Sequence, residues 1–268
     1  MSELNSNIFK KNGVFKGVNL KRSLNRRKRN AMKVVRRTNK RRPKDVPLKY
    51  QYDMFEDSND EEANKWLSII QCGVDEAGRG PLFGRVYTAC VALPSREDAP
   101  DFPFHQLKDS KRFTSKRKLR EMFELIKKHC VYGIDFAEAT EVDEKNIRIA
   151  TIDCMNRAIS QVREKCPDVG YILVDGCDFI NKTPIDHICI EGGDDYYMSI
   201  AAASILAKVS RDDWVEQMCI DYPELEKYGI ASSKGYATRE HIEAVEKYGN
   251  TPWHRRSFGV CKRMAEKE

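Results

Sequence analysis

Two short apolar runs that stop on acids constrain this chain more than any other feature. "WLSIIQCGVD" spans 66–75 and is followed at once by Glu76; "GYILVDG" spans 170–176. Each has the length of a buried strand rather than of a helix. Around them lie longer stretches with helical spacing. Residues 114–130 line up Leu119, Met122, Phe123 and Ile126 behind Thr114 as an N-cap, and residues 141–166 line up Ile149, Ile152, Met155 and Ile159. Residues 85–93 and 131–140 read as two further strands, "DHICIEGGDD" holds a short fifth, and 198–218 is an Ala-rich buried helix. From about Tyr222 the pattern is mostly helical with loops. Strands interleaved with amphipathic helices predict an α/β layered domain with a mixed sheet.

The charge is unevenly spread. Residues 1–44 hold sixteen Lys and Arg and one acid, Glu3, giving +15; the remaining thirty-one basic and forty acidic residues give −9, for a net +6 over 268 residues. Residues 51–66 turn acidic and read as a linker, so 1–65 is predicted as a disordered basic arm with its linker and 66–268 as one globular domain. Four readings of the arm stand open: phosphate binding by counterion release, a nuclear address, an organellar transit peptide, or a solvated tail. The nine cysteines form no CxxC pair and several sit in apolar runs, which reads as buried reduced thiols in an intracellular protein of the cytoplasm or nucleus. No apolar run approaches the roughly eighteen residues of a membrane span, and no membrane partner is expected.

If the strands that end at Asp75 and Asp175 are parallel neighbours, their carboxylates meet at one sheet edge, where open α/β sheets place ligands. Glu76 comes with Asp75. Asp212 can join from the helix, one turn after Lys208 on the same face. Four crowded carboxylates need cations or raised pKa values. An all-oxygen donor set suits Mg²⁺ or Mn²⁺, and two such ions about 3.5–4 Å apart can clamp an in-line phosphoryl displacement. Gly78 and Gly80 around Arg79 allow positive φ and close approach to a ligand. Taken singly these signs are weak: an Asp-Glu pair at a strand end is more often a solvated turn, and "VDG" is a common strand exit.

Taken together they are specific. "GVDEAGRGPLFG", "LKDSKRFTSKRK", "ILVDG", "SIAAASILAKVSRD", "KGYATREH" and "YGNTPWHRRSF" follow one another in that order. From about Cys72 to Phe258 the chain resembles ribonuclease HII, the type 2 ribonuclease H family. The resemblance implies a ribonuclease H-like fold: a five-stranded mixed sheet flanked by helices, with a helical C-terminal extension. It implies endonucleolytic cutting of RNA in RNA/DNA hybrids, and cutting 5′ of single ribonucleotides in duplex DNA, leaving 3′-hydroxyl and 5′-phosphate ends. By motif, the catalytic metal ligands would be Asp75, Glu76, Asp175 and Asp212, with Asp213 a rival to Asp212. Gly78, Arg79 and Gly80 would clamp the ribose 2′-hydroxyl, Tyr236 would stack at the ribonucleotide–deoxyribonucleotide junction, and Lys108, Ser110 and Lys111 would contact phosphate. Ser233 departs from the family's usual His before "KGY". The expected enzyme is monomeric and needs no obligate protein subunit.

Two other functions compete. A non-catalytic nucleic-acid-binding protein on the same fold would show a lost acid, and all four are present. A proofreading-type exonuclease would space its first acids Asp-x-Glu, and would leave "GRG" and "KGY" unexplained.

Overall fold

The computed structural model describes residues 47–51 and 68–267. The expected basic arm, and the start of order near Trp66, lie outside these apart from 47–51. Five strands form one sheet: β1 (Ile70–Ala77), β2 (Val86–Ala92), β3 (Val131–Ala137), β4 (Val169–Asp175) and β5 (Asp186–Ile190), in the order β3-β2-β1-β4-β5. β1 pairs antiparallel with β2 and β2 with β3, while β1–β4 and β4–β5 are parallel. The sheet is mixed, as the strand pattern predicts.

Helices α1 (Lys116–His129), α2 (Ala139–Lys145), α3 (Ile147–Lys165) and α4 (Met198–Asp221) surround it. Period-two alternation sorts the strand residues by face. Cys72, Val74, Cys90 and Ala92 pack on Met155, Ala158, Ile159 and Val162 of α3. On the other face Ala89 and Val91 pack on Ala201, Ile205 and Leu206 of α4, with Met122, Phe123 and Ile126 of α1. α5 (Ile230–Ser233), α6 (Arg239–Tyr248) and α7 (Gly259–Ala265) build a helical C-terminal part around Leu225, Tyr228, Ile230 and Val245. That part shares its core with Phe83 and with Val215 and Met218 of α4.

The structure revises three local expectations. The helix predicted over 141–166 is two helices, broken at Asn146, whose φ of 67° turns the chain while its side chain accepts a hydrogen bond from the Ile149 amide. Ser115, not Thr114, caps α1 by accepting from the Lys118 amide. Leu48–Tyr50 belong to the body rather than to an arm. Leu48 is buried in the core beside α4, and the Tyr50 hydroxyl donates to the Pro94 carbonyl (2.6 Å). Lys49 bridges the chain just before α4: its amide donates to the Tyr196 carbonyl (2.7 Å) and its carbonyl accepts from the Met198 amide (3.0 Å). A helix start leaves its first amides without partners inside the helix, and Tyr197, the N-cap, supplies no side-chain bond. The Lys49 carbonyl takes up one of those amides.

Candidate active site

The ends of β1 and β4 deliver the first carboxylates. Val74 lies in register with Val174, so Asp75 and Asp175 occupy the next step of two parallel neighbours. Both fall on the face that carries α4. On that face Gly73 leaves no room for a side chain, since a Cβ there would lie 2.2 Å from the Ser199 carbonyl carbon. The helix therefore rests on the strand backbone, and Ser204, farther along α4, partly offsets the rise that burial imposes on the Asp75 carboxyl. Asp75 Oδ1 also accepts the Glu76 amide (2.7 Å), and Asp175 Oδ1 accepts the Gly193 amide (2.6 Å).

That Gly193 contact brings in an acid the sequence reading missed. After β5 the chain makes a 3-10 turn at Gly193–Asp195, and Asp194 is only 6% exposed within it. Burial, then the neighbouring Asp175 carboxylate, pushes Asp194 up to about 7. Burial raises Asp75 well above the usual carboxylate range, and Asp175, Glu76 and Asp194 raise it further. Glu76 is raised by burial and by Asp175 against the opposing pull of Arg79. Asp175 is raised by burial, although the Gly193 amide and Lys111 oppose the shift.

Asp212 comes from α4. Lys208 donates to its Oδ2 (2.5 Å) along the same helix, and its Oδ1 is buried with no hydrogen-bond partner, as an oxygen left for a cation would be. Asp213 is drawn away by Arg120, whose Nη1 donates to it at 2.7 Å. Asp194 thus stands as a further acid beside Asp75, Glu76 and Asp175.

The ribose-facing candidates meet beside them. Gly78 has φ +92°, and a Cβ on it would strike the Arg211 side chain at 2.2 Å. A Cβ on Gly80 would come within 3.7 Å of the Tyr236 ring, so the loop backbone and the ring face each other. Tyr236 is 50% exposed, as a stacking surface must be. Arg79 reaches back to Glu76 (3.5 Å). Ser233 shapes the "KGY" turn, accepting the Tyr236 amide on its carbonyl (3.1 Å) and the Gly235 amide on its hydroxyl (3.2 Å).

The family model for ribonuclease HII matches residues 72–261. The chain belongs to the ribonuclease HII family. The ribonuclease HII of Caldanaerobacter subterraneus subsp. tengcongensis is 45% identical over 187 residues, 69% of this chain and 72% of that protein. Among solved structures, ribonuclease H2 from Pyrococcus horikoshii OT3 superposes with a TM-score of 0.58 at 22% identity, over 74% of this chain and 98% of that one. Bst-RNase HIII in complex with Mn²⁺ superposes with a TM-score of 0.59 at 16% identity, over 75% and 70%. The protein is thus a ribonuclease HII-type endoribonuclease, acting on the RNA of RNA/DNA hybrids, on the ribonuclease H-like fold expected from its motifs.

In this ribonuclease HII site the donors are hard oxygens whose charges are poorly offset. The Asp194 carboxylate has Lys111 only at 3.8 Å, and Glu76 has only the Arg79 contact at 3.5 Å. Among the described residues no three acidic, His or Cys side chains are grouped as they would be around a metal ion. The cluster is crowded, buried and open, and its oxygen donors and unrelieved repulsion fit the divalent-metal dependence of the family. The "LKDSK" residues divide. Lys111 faces the acids, and their charge, led by Asp109 and Asp194, outweighs desolvation and holds its ammonium above the usual range. Lys108 lies over the Phe113 ring (4.5 Å). Ser110, expected to contact phosphate, is buried instead and shares a hydrogen bond with Ser204 (3.0 Å). It therefore ties its loop to α4.

Proposed function

We propose that this ribonuclease HII cuts on the 5′ side of ribonucleotides embedded in duplex DNA as well as within RNA/DNA hybrids, leaving 3′-hydroxyl and 5′-phosphate ends. One observation carries the reading. The acids Asp75 and Glu76 and the loop Gly78–Gly80 are a single short stretch of chain, with Tyr236 packed toward Gly80. A ribose held at the loop has its flanking phosphate at a fixed distance from the carboxylates. An A-form minor groove displays 2′-hydroxyls, and a backbone group beside a glycine can approach one closely.

Asp75, Glu76, Asp175 and Asp212 would hold two ions, Mg²⁺ or Mn²⁺, with Asp194 a further carboxylate beside them. Such ions supply charge neutralisation and an activated water for in-line displacement at phosphorus. Lys111 offers a cation toward the scissile phosphate. Tyr236 offers a face for the sugar or base that follows. We take the enzyme as monomeric, without an obligate subunit, and as working in a reducing intracellular compartment.

The test is a DNA duplex with one ribonucleotide, incubated with and without Mg²⁺, with cut position and end chemistry mapped. A metal-dependent cut 5′ of the ribonucleotide supports the reading. Cleavage of long hybrids alone removes its second half.

A further inference from the structure

The loop and the tyrosine that face each other come from distant parts of the chain, and a third segment stitches them together. Residues 82–84 run between two partners. The Leu82 amide donates to the Gly235 carbonyl (2.9 Å), the Gly84 amide to the Trp253 carbonyl (2.8 Å), and the Arg255 amide to the Leu82 carbonyl (2.8 Å). The Arg255 side chain, 0% exposed, then spends its guanidinium on one loop. Nη2 donates to the Gly78 carbonyl (2.7 Å), Nη1 to those of Arg79 and Pro81 (both 2.9 Å), and Nε to that of Gly84 (2.8 Å). A fully buried cation is expensive unless its donors are matched. Here four loop carbonyls match them.

His254, the preceding residue, serves the tyrosine. Its Nδ1 accepts the Thr251 amide (2.9 Å), so in the neutral ring Nε2 carries the proton. Nε2 donates to His241 Nε2 (2.9 Å), which leaves His241 Nδ1 to donate to the Tyr236 carbonyl (2.9 Å). Only this one arrangement of protons satisfies all three bonds. Both rings are buried.

We propose that His254 and Arg255 are the positioning pair of ribose recognition: Arg255 sets the shape of the Gly78–Gly84 loop, and His254, through His241, sets the height of Tyr236, so that loop and ring keep the spacing that admits a ribose. This rests on the reading above that loop and ring face the ribose. Neither side chain touches substrate; both act through backbone.

The test compares binding of the full chain, in EDTA so that nothing is cut, to a DNA duplex with one ribonucleotide and to the same duplex in all-DNA form. A lysine presents its donors from a single point and cannot span four carbonyls. In Arg255→Lys the preference for the ribonucleotide should fall about tenfold toward unity, the equivalent of about 1.4 kcal/mol, with affinity for plain duplex little changed; the thermal midpoint should fall too, because buried carbonyls lose their donors, so the ratio is read well below it, on folded protein. His241→Phe keeps ring volume but removes the bond to Tyr236, and should produce a smaller fall in the same ratio. Folded variants that both keep the parent's preference overturn the proposal. So does loss of folding in both, because the pair would then serve the fold and not the ribose. A parent chain with no preference of its own sinks the functional reading beneath, and is recognised before either variant is made.

Discussion

At the scale of single residues, the acids make the sharpest predictions. Asp175→Asn and Asp212→Asn should each lower cleavage by about two to three orders of magnitude or more, since an amide is a poor ligand for a hard cation. Asp194→Asn should cost less. Single-turnover rates on a ribonucleotide-containing duplex decide it, and a small loss at 212 beside a large one at 194 would put Asp194 in the metal set instead. The titration of Asp194 gives a second prediction. Its carboxyl rises from 3.8 to about 7 on folding, so the folded chain holds the proton more tightly than the unfolded one. Without metal, stability should therefore be highest below about pH 4 as far as this group is concerned, and should fall as pH rises toward about 7. Added Mg²⁺ should restore it at pH 7, and thermal midpoints across pH, with and without the ion, measure both effects. The pairing of Lys208 with Asp212 was legible, because the two stand four apart on one helix face. Nothing comparable marked Asp194, because "GGDD" after a short strand looks like any strand exit until the 3-10 turn aims it.

Among the elements, the contact of α4 with β1 sets the geometry of the site. Gly73→Ala would press a methyl into the helix backbone at Ser199, which can move only by shifting the helix. Overpacking of this kind costs about 1–3 kcal/mol. Denaturant titration should show the loss, and cleavage should fall with it because α4, which carries Asp212, shifts against the strand that carries Asp75. Sheet and helices were legible from period and length: the apolar runs at 70–75 and 170–175 are adjacent parallel strands, and the Ala-rich segment is the helix that covers them. Boundaries were less so. Asn146 at φ 67° splits a continuous amphipathic pattern, and periodicity does not register a single left-handed residue. The inward turn of Ser110, assigned to phosphate by motif, was hidden for a related reason: it depends on a tertiary bond to Ser204 that no local pattern registers.

For the whole molecule, the split between a +15 segment at 1–44 and a −9 remainder implies two separable contributions to nucleic-acid binding. Removing residues 1–44 should weaken binding at low salt and flatten the dependence of log K on log salt, while leaving the thermal midpoint unchanged. Removing residues 1–51 should lower the midpoint as well, because Leu48 leaves the core and the Met198 amide loses its acceptor. An unchanged salt slope in the shorter deletion would make the arm an address. The bridge at Lys49 has one more implication. It lies against Tyr196 and Tyr197, directly after the turn that carries Asp194, so this short segment braces that turn as well as the core. A proline at position 49, with no amide to give the Tyr196 carbonyl, would loosen an acid of the cutting centre from a place no substrate reaches.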